Sequence, residues 1–270
     1  MQEQNNPLFY SEGGVGDTLQ HLPFMLLNKH LNPRYCMMNH YKGAKELLKS
    51  LGIKPEYTFY YKNDIQKLDL LRGMGLKTPM ESVPRTKYFN YNPFPKQKPL
   101  FEDSKPVIGV HLCGSRFSAS TYTKNGMATK TIPADIIHHL SHEYNVMLFG
   151  LPEEVTILNL KQSNNLKFVT FLDVAKSLSY VEQCHAVVGA DSSIKTMSSM
   201  LKIPTFVWLA DHADYFRDTV FISPYVDDGV MKMYRYKDAF KEVNEGMKAT
   251  QDFLKGILCC LLYTSPSPRD

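Results

Sequence analysis

Short apolar runs alternate along this chain with stretches whose apolar residues return every three or four positions, the pattern of strands followed by helices. Leu8, Phe9 and Tyr10 form the first run. A turn containing Gly13, Gly14 and Gly16 follows, then a helix from Thr18 with Leu19, Leu22, Leu26 and Leu27 on one face. Residues 35–38, 57–60, 107–112, 146–149, 167–169, 186–188 and 205–209 read as further strands. Residues 43–51, 133–144, 153–162 and 173–184 read as the helices between them, with Pro133 near a first turn and Asp173 as a cap. This alternation predicts an α/β fold of parallel sheets with helices on both faces. Prolines 79, 84, 93, 95, 99 and 106 break the pattern. Proline removes backbone donors and favours extended chain, so residues 79–106 read as a linker or irregular surface. They split the chain into two Rossmann-like domains, a small one over residues 1–103 and a second over 104–258.

The stretch from Val187 to Asp211 has the most specific pattern. A buried strand runs into a Gly189-Ala190 turn, and Asp191, Ser192 and Ser193 open a short helix. A second strand follows Ile203-Pro204. A strand that passes through small residues into a helix presents free N–H groups and a positive dipole end at its C-terminal edge, which suits a phosphate.

Composition narrows the picture. With 270 residues, 43% of them hydrophobic, the chain has enough length for a sizeable core. Its net charge of +4 suits an anionic small molecule or weak attraction to an acidic membrane surface, and is too small to argue for nucleic acid. No run of about 18 apolar residues predicts a membrane span, and MQEQNNPLFY lacks the regions of a signal peptide. Cys36, Cys113 and Cys184 are scattered without metal-ligand spacing and read as reduced core thiols of a cytoplasmic protein. The last residues, CCLLYTSPSPRD, break the helical pattern that ends near Leu258. Residues 259–270 resemble translated adapter read-through and are expected to be a non-native tail, with a disordered tail as the alternative.

Several motifs in order resemble the ADP-heptose:lipopolysaccharide heptosyltransferases and related glycosyltransferases of the two-Rossmann-domain (GT-B) architecture. They are Gly-x-Gly-Asp-x-Leu-x-x-x-Pro from Gly14 to Pro23, the loop Gly114-Ser115-Arg116 and the helix entry Lys130-Thr131-Ile132-Pro133. The strand-glycine unit at 146–150 and Gly189-x-Asp191-Ser192 with its Ile-Pro strand complete the set. Where the family has Gly after Asp-Ser and His three residues beyond it, this chain has Ser193 and Thr196. The first domain is also shorter than the family's. The resemblance implies parallel sheets facing a cleft, a nucleotide-diphosphate sugar as donor, a glycan or lipid-linked acceptor, and inverting transfer without metal or other cofactor. It further implies a monomer in the cytoplasm, at most peripheral at the inner membrane face.

Residue types fit this chemistry, each with a plainer alternative. By the resemblance Asp17 is the general base for the acceptor hydroxyl, and Gly14 and Gly16 let substrate approach; Asp17 is equally suited to capping the helix from Thr18. Lys130 matches the family's phosphate-binding lysine, against a solvated loop lysine. Arg116, beside Ser115, offers a fork of donors to the same phosphates. Asp191, Ser192, Ser193 and Thr196 form the second part of the donor site, although the serines also serve as simple caps. His138, His139 and His142 read as a solvated helix surface over the core residues Ile136, Ile137 and Leu140. Two other readings remain open: a nucleotide-sugar epimerase of the same architecture, and a nucleotide-sugar-binding protein without transfer activity.

Overall fold

The computed structural model describes residues 8–12, 14–31, 34–38, 42–55, 57–58, 81–114, 131–171, 173–211 and 223–264. The chain divides into two compact units, Met1–Phe89 with Asp173–Ala175, and Asn90–Leu172 with Lys176–Asp270.

In the first unit, β1 (Leu8–Glu12), β2 (Arg34–Met38), β3 (Tyr57–Thr58) and β4 (Glu81–Ser82) form one sheet in the order β3-β2-β1-β4. All pairs are parallel. Helices α1 (Val15–Leu27) and α2 (Lys42–Ser50) supply Leu19, Leu22, Met25, Leu47 and Leu48 to the core. Phe9 packs edge-on against Phe24, ring centres 5.2 Å apart. The inward stripe of α1 differs from expectation at its end. Met25 is buried while Leu27 is 75% exposed, because α1 stops there and a 3₁₀ turn (Lys29–Leu31) redirects the chain.

The second unit begins with β5 (Val107–His111), α3 (Asp135–Glu143), β6 (Asn145–Phe149), α4 (Pro152–Ile157) and β7 (Leu166–Val169). It continues with α5 (Val174–Ser179), whose first two residues are counted with the first unit, then β8 (Ala186–Ala190), α6 (Ser193–Met200) and β9 (Thr205–Ala210). It ends with α7 (Ser223–Asp227), β10 (Met231–Tyr236) and α8 (Val243–Thr264). The sheet runs β10-β9-β8-β5-β6-β7, every pair parallel. This is the doubly wound Rossmann order, in which the strand sequence reverses between β5 and β8. Every residue of β5, β6, β8 and β9 is buried, as expected of strands covered on both faces. Cys36, Cys113 and Cys184 are buried free thiols.

Several expected boundaries move for identifiable reasons. The proline-rich stretch is only partly linker: Glu81 and Ser82 pair with β1, and Val83 and Phe94 are buried. Residues beyond Asn90 are fastened to the second unit, where Gln183 Nε2 donates to the carbonyls of Gln97 and Lys98 and Asn92 donates to Glu182. Gly189 and Ala190 close β8 instead of forming a turn. A Cβ at Gly189 would overlap the backbone oxygen of its neighbour His111, so only glycine allows the two strands this approach. The helix expected over residues 153–162 stops at Ile157, because Asn159 takes a left-handed φ of 50°. The helix expected from Asp173 to Cys184 ends at Ser179 and is followed by a 3₁₀ turn, Val181–Gln183. The helical backbone of α8 passes Leu258, where its pattern was expected to break, and reaches Thr264. No helix among the described residues is long and apolar enough to cross a membrane.

Candidate functional site

Parallel strands deliver all their C-terminal ends to one edge, and in a doubly wound sheet a crevice opens there where the strand order reverses. In the second unit that point lies between β5 and β8, paired through His111 and Gly189. From β5 the chain passes to Gly114, and from β8 to Asp191, Ser192 and α6. Two segments far apart in sequence thus meet at one sheet edge.

Ser115, Arg116 and Lys130 lie outside the described residues. The residues flanking that segment are tied to each other. Cys113 and Thr131 form an antiparallel bridge, and Ile132 N–H donates to the Leu112 carbonyl at 3.0 Å. The Tyr236 hydroxyl donates to the Thr131 carbonyl at 3.3 Å, so β10 helps anchor the same point.

Ser192 is the N-cap of α6, its Oγ accepting from Lys195 N–H at 3.3 Å, and Ser193 is the first helical residue. The Thr196 hydroxyl donates to the Ser192 carbonyl at 3.2 Å. Asp191 pairs with Lys195 at 2.7 Å, and both side chains are buried. The cap expected from the sequence is present, while a buried lysine paired to Asp191 was not anticipated.

The same edge carries a carboxylic acid that sequence reasoning missed. Glu154, in the first turn of α4, is 5% exposed, and a Cβ at Gly150 would overlap its carboxylate. Burial lifts its pKa to about 7, with a smaller upward push from Glu153, against a downward pull from its bond with Leu151. Burial, together with the charge of Glu154, raises the Cys113 thiol to about 12. Burial also lowers His111 to about 4, leaving a neutral imidazole at the end of β5. The available signal was weak, a glutamate four residues past the glycine that ends a core strand.

In the first unit, Gly14 is the N-cap of α1, Gly16 lies in its first turn and Asp17 is its third residue. The alternative of Asp17 as cap of a helix starting at Thr18 is therefore corrected, since α1 begins three residues earlier. Asp17 still serves the helix start. Its Oδ2 accepts from Gly14 N–H at 2.9 Å, satisfying a donor that the helix leaves open. Its Oδ1 accepts from Arg85 Nη2 at 3.1 Å.

Two parallel sheets flanked by helices, the second in Rossmann order, place the fold in the α/β class of GT-B glycosyltransferases and epimerases. The structure of the E. coli ADP-heptose lps heptosyltransferase II is similar with a TM-score of 0.53 at 11% identity, covering 91% of this chain and 99% of that chain. The E. coli heptosyltransferase WaaC with ADP-2-deoxy-2-fluoro heptose gives 0.52 at 8% identity, covering 93% and 99%. A putative UDP-N-acetylglucosamine 2-epimerase from Listeria monocytogenes gives 0.50 at 10%, covering 94% and 91%. No protein-family model matches the chain, and no curated protein matches it in sequence.

Proposed function

We propose that this protein is a glycosyltransferase that moves a sugar, heptose in the nearest reading, from a nucleotide diphosphate to a hydroxyl of a glycan or lipid-linked acceptor. The observation that supports it most is the meeting of the Gly114 loop entry and the Asp191–Ser192 helix start at the β5/β8 reversal, in a fold shared with heptosyltransferases. The donor diphosphate lies at that edge, held by the N–H groups of α6, Ser115, Ser192 and Ser193, with Arg116 and Lys130 neutralising its charge. Asp17 takes the acceptor proton. Each of its oxygens carries two lone pairs, so bonds to Gly14 and Arg85 leave acceptor capacity for a hydroxyl. Attack on the anomeric carbon in one inverting step, with no metal or other cofactor, follows from the resemblance, as do a monomeric state and a cytoplasmic place, at most peripheral at the inner membrane face.

A nucleotide-sugar epimerase is the second reading, favoured by the shared fold of the Listeria protein. Calorimetry against ADP-, GDP- and UDP-sugars, followed by mass spectrometry of reactions with and without acceptor glycans, separates the outcomes. Transfer to an added glycan supports the proposal. An isomerised donor formed without acceptor makes the protein an epimerase, and binding without turnover makes it a binding protein. Failure to bind any nucleotide diphosphate removes all three.

A further inference from the structure

We infer that Arg85 is a positioning residue for Asp17, holding the carboxylate in one orientation for its work as a base. The inference rests on the reading of Asp17 in the proposed function. Its foundation is topological. β1 and β4 are parallel neighbours, with Phe9 beside Glu81 and Tyr10 beside Ser82, so the chain leaves both strands at the same edge. From β1 it passes through Gly14 into α1 and Asp17; from β4 it passes through Val83 and Pro84 to Arg85.

The segment carrying Arg85 is fastened along α1 at successive points. Val83 is 1% exposed, and the Pro84 carbonyl lies 3.5 Å from His21 Nδ1. Thr86 N–H donates to the Gln20 carbonyl at 2.8 Å. With its backbone held, Arg85 spreads its guanidinium over one helical turn. Nη1 donates to Gln20 Oε1 at 3.1 Å, and Nη2 donates to Asp17 Oδ1 at 3.1 Å. Gln20 is itself buried. The Asp17 carboxylate is thereby restrained at both oxygens, one by its own helix start and the other by chain 68 residues away.

Capping α1 requires only the Gly14 bond. The second restraint joins side chains that are 31% and 25% exposed, where ion pairs add little stability. What a planar fork adds there is direction: Nη1 on Gln20 fixes the guanidinium plane, so Nη2 meets Asp17 Oδ1 along one line, and with Gly14 N–H on Oδ2 the carboxylate has little freedom to rotate. A general base needs that constraint, since catalysis depends on reach and angle to the proton it accepts.

A double-mutant cycle in the intact chain tests the inference. Arg85→Gln is expected to lower kcat for sugar transfer roughly 10–100-fold with the donor KM within about twofold, the signature of lost alignment in place of lost binding. Arg85→Lys is expected to recover only part, because one ammonium does not span Gln20 and Asp17 together. In an Asp17→Asn background, Arg85→Gln is expected to change turnover no further; losses that multiply would overturn the inference. Gly14 amide hydrogen exchange gives an answer that needs no activity. It is expected to quicken about fivefold or more in Arg85→Gln as the carboxylate loosens. If Arg85→Gln does not fold, Arg85→Lys carries the same measurement. Unchanged Gly14 exchange overturns the positioning role even if the protein transfers sugar, whereas faster exchange in a protein that transfers none sustains the restraint and rejects the proposed function.

Discussion

Lys195 Nζ lies 2.7 Å from Asp191 Oδ1 beneath the start of α6, with only 3% and 8% of the two side chains exposed. Two charges taken from water at the end of a core strand are tolerable only together. Lys195→Met leaves the aspartate buried with its main counter-charge gone, and is expected to lower stability by about 3–5 kcal/mol in denaturant unfolding. Lys195→Met combined with Asp191→Leu is expected to regain much of that loss. A single substitution costing less than about 1 kcal/mol would show that water reaches the pair.

The one tryptophan provides a second test and its own reporter. Trp208 is 1% exposed, donates Nε1–H to Thr250 Oγ1 at 3.1 Å, and lies so close to α8 that a Cβ at Gly246 would overlap its ring. Helix propensity alone favours Ala over Gly by about 1 kcal/mol. The overlap acts against it, and overpacking of this kind typically costs about 1–3 kcal/mol. Gly246→Ala is therefore expected to be net destabilising, measured by Trp208 fluorescence during urea unfolding.

Glu154 gives stability a defined pH dependence. Its folded pKa of about 7 lies above the ordinary 4.5, so across that interval the unfolded chain releases a proton that the folded chain keeps. Stability from this group is complete below the lower value and falls as pH rises to the upper one, by on the order of 3 kcal/mol in all. Glu154→Gln is expected to remove that fall, so the variant gains on the natural chain between pH 5 and pH 8. Urea titrations at both values measure it. His21 and His111, each lowered from 6.5 to about 4 mainly by burial, act in the opposite direction. Their contribution is lost as pH falls through that window.

Lys130→Ala is expected to weaken nucleotide diphosphate binding by roughly 1.5–3 kcal/mol, the range for a charged hydrogen bond, with unfolding unchanged. Calorimetry with ADP, GDP and UDP reads this directly, and equal affinities would take Lys130 out of the donor site.

Asp17→Asn separates base from cap. The amide oxygen can still accept from Gly14 N–H, so stability is expected to hold, while turnover falls by on the order of 10²–10⁴. Asp17→Ala is expected to lose about 1 kcal/mol of stability as well. Wild-type turnover in the Asn variant would leave Asp17 with the helix start alone.

The fold was legible wherever burial on both faces wrote an uninterrupted apolar run. β5, β6, β8 and β9 each show one, and Ser192 was readable as a cap because caps are local. β4 was not, being two residues long among prolines and paired, among the described strands, with β1 alone. β10 was also missed; at the sheet edge, Lys232 and Met233 are exposed and no core-like run forms. Within the candidate site, the segment contributing Gly114 and the one contributing Asp191 were both legible from their glycines and helix entries. Glu154 and Arg85 were not. Burial of Glu154 comes from where α4 packs, and Arg85 reaches Asp17 through strand order, which no local pattern encodes.

The strand order also imposes a timetable on synthesis. β5, the inner strand beside the reversal, meets β6 soon after it is made, but its other neighbour, β8, follows only after β7 and α5. Until then the growing chain displays an apolar strand with one edge of hydrogen-bonding groups open. Such an edge invites pairing with other chains, and non-local parallel pairing closes it slowly. A ribosome stalled or a chain truncated between β7 and β8 would therefore release an aggregation-prone half-sheet, and co-translational chaperone engagement is expected to concentrate in that interval.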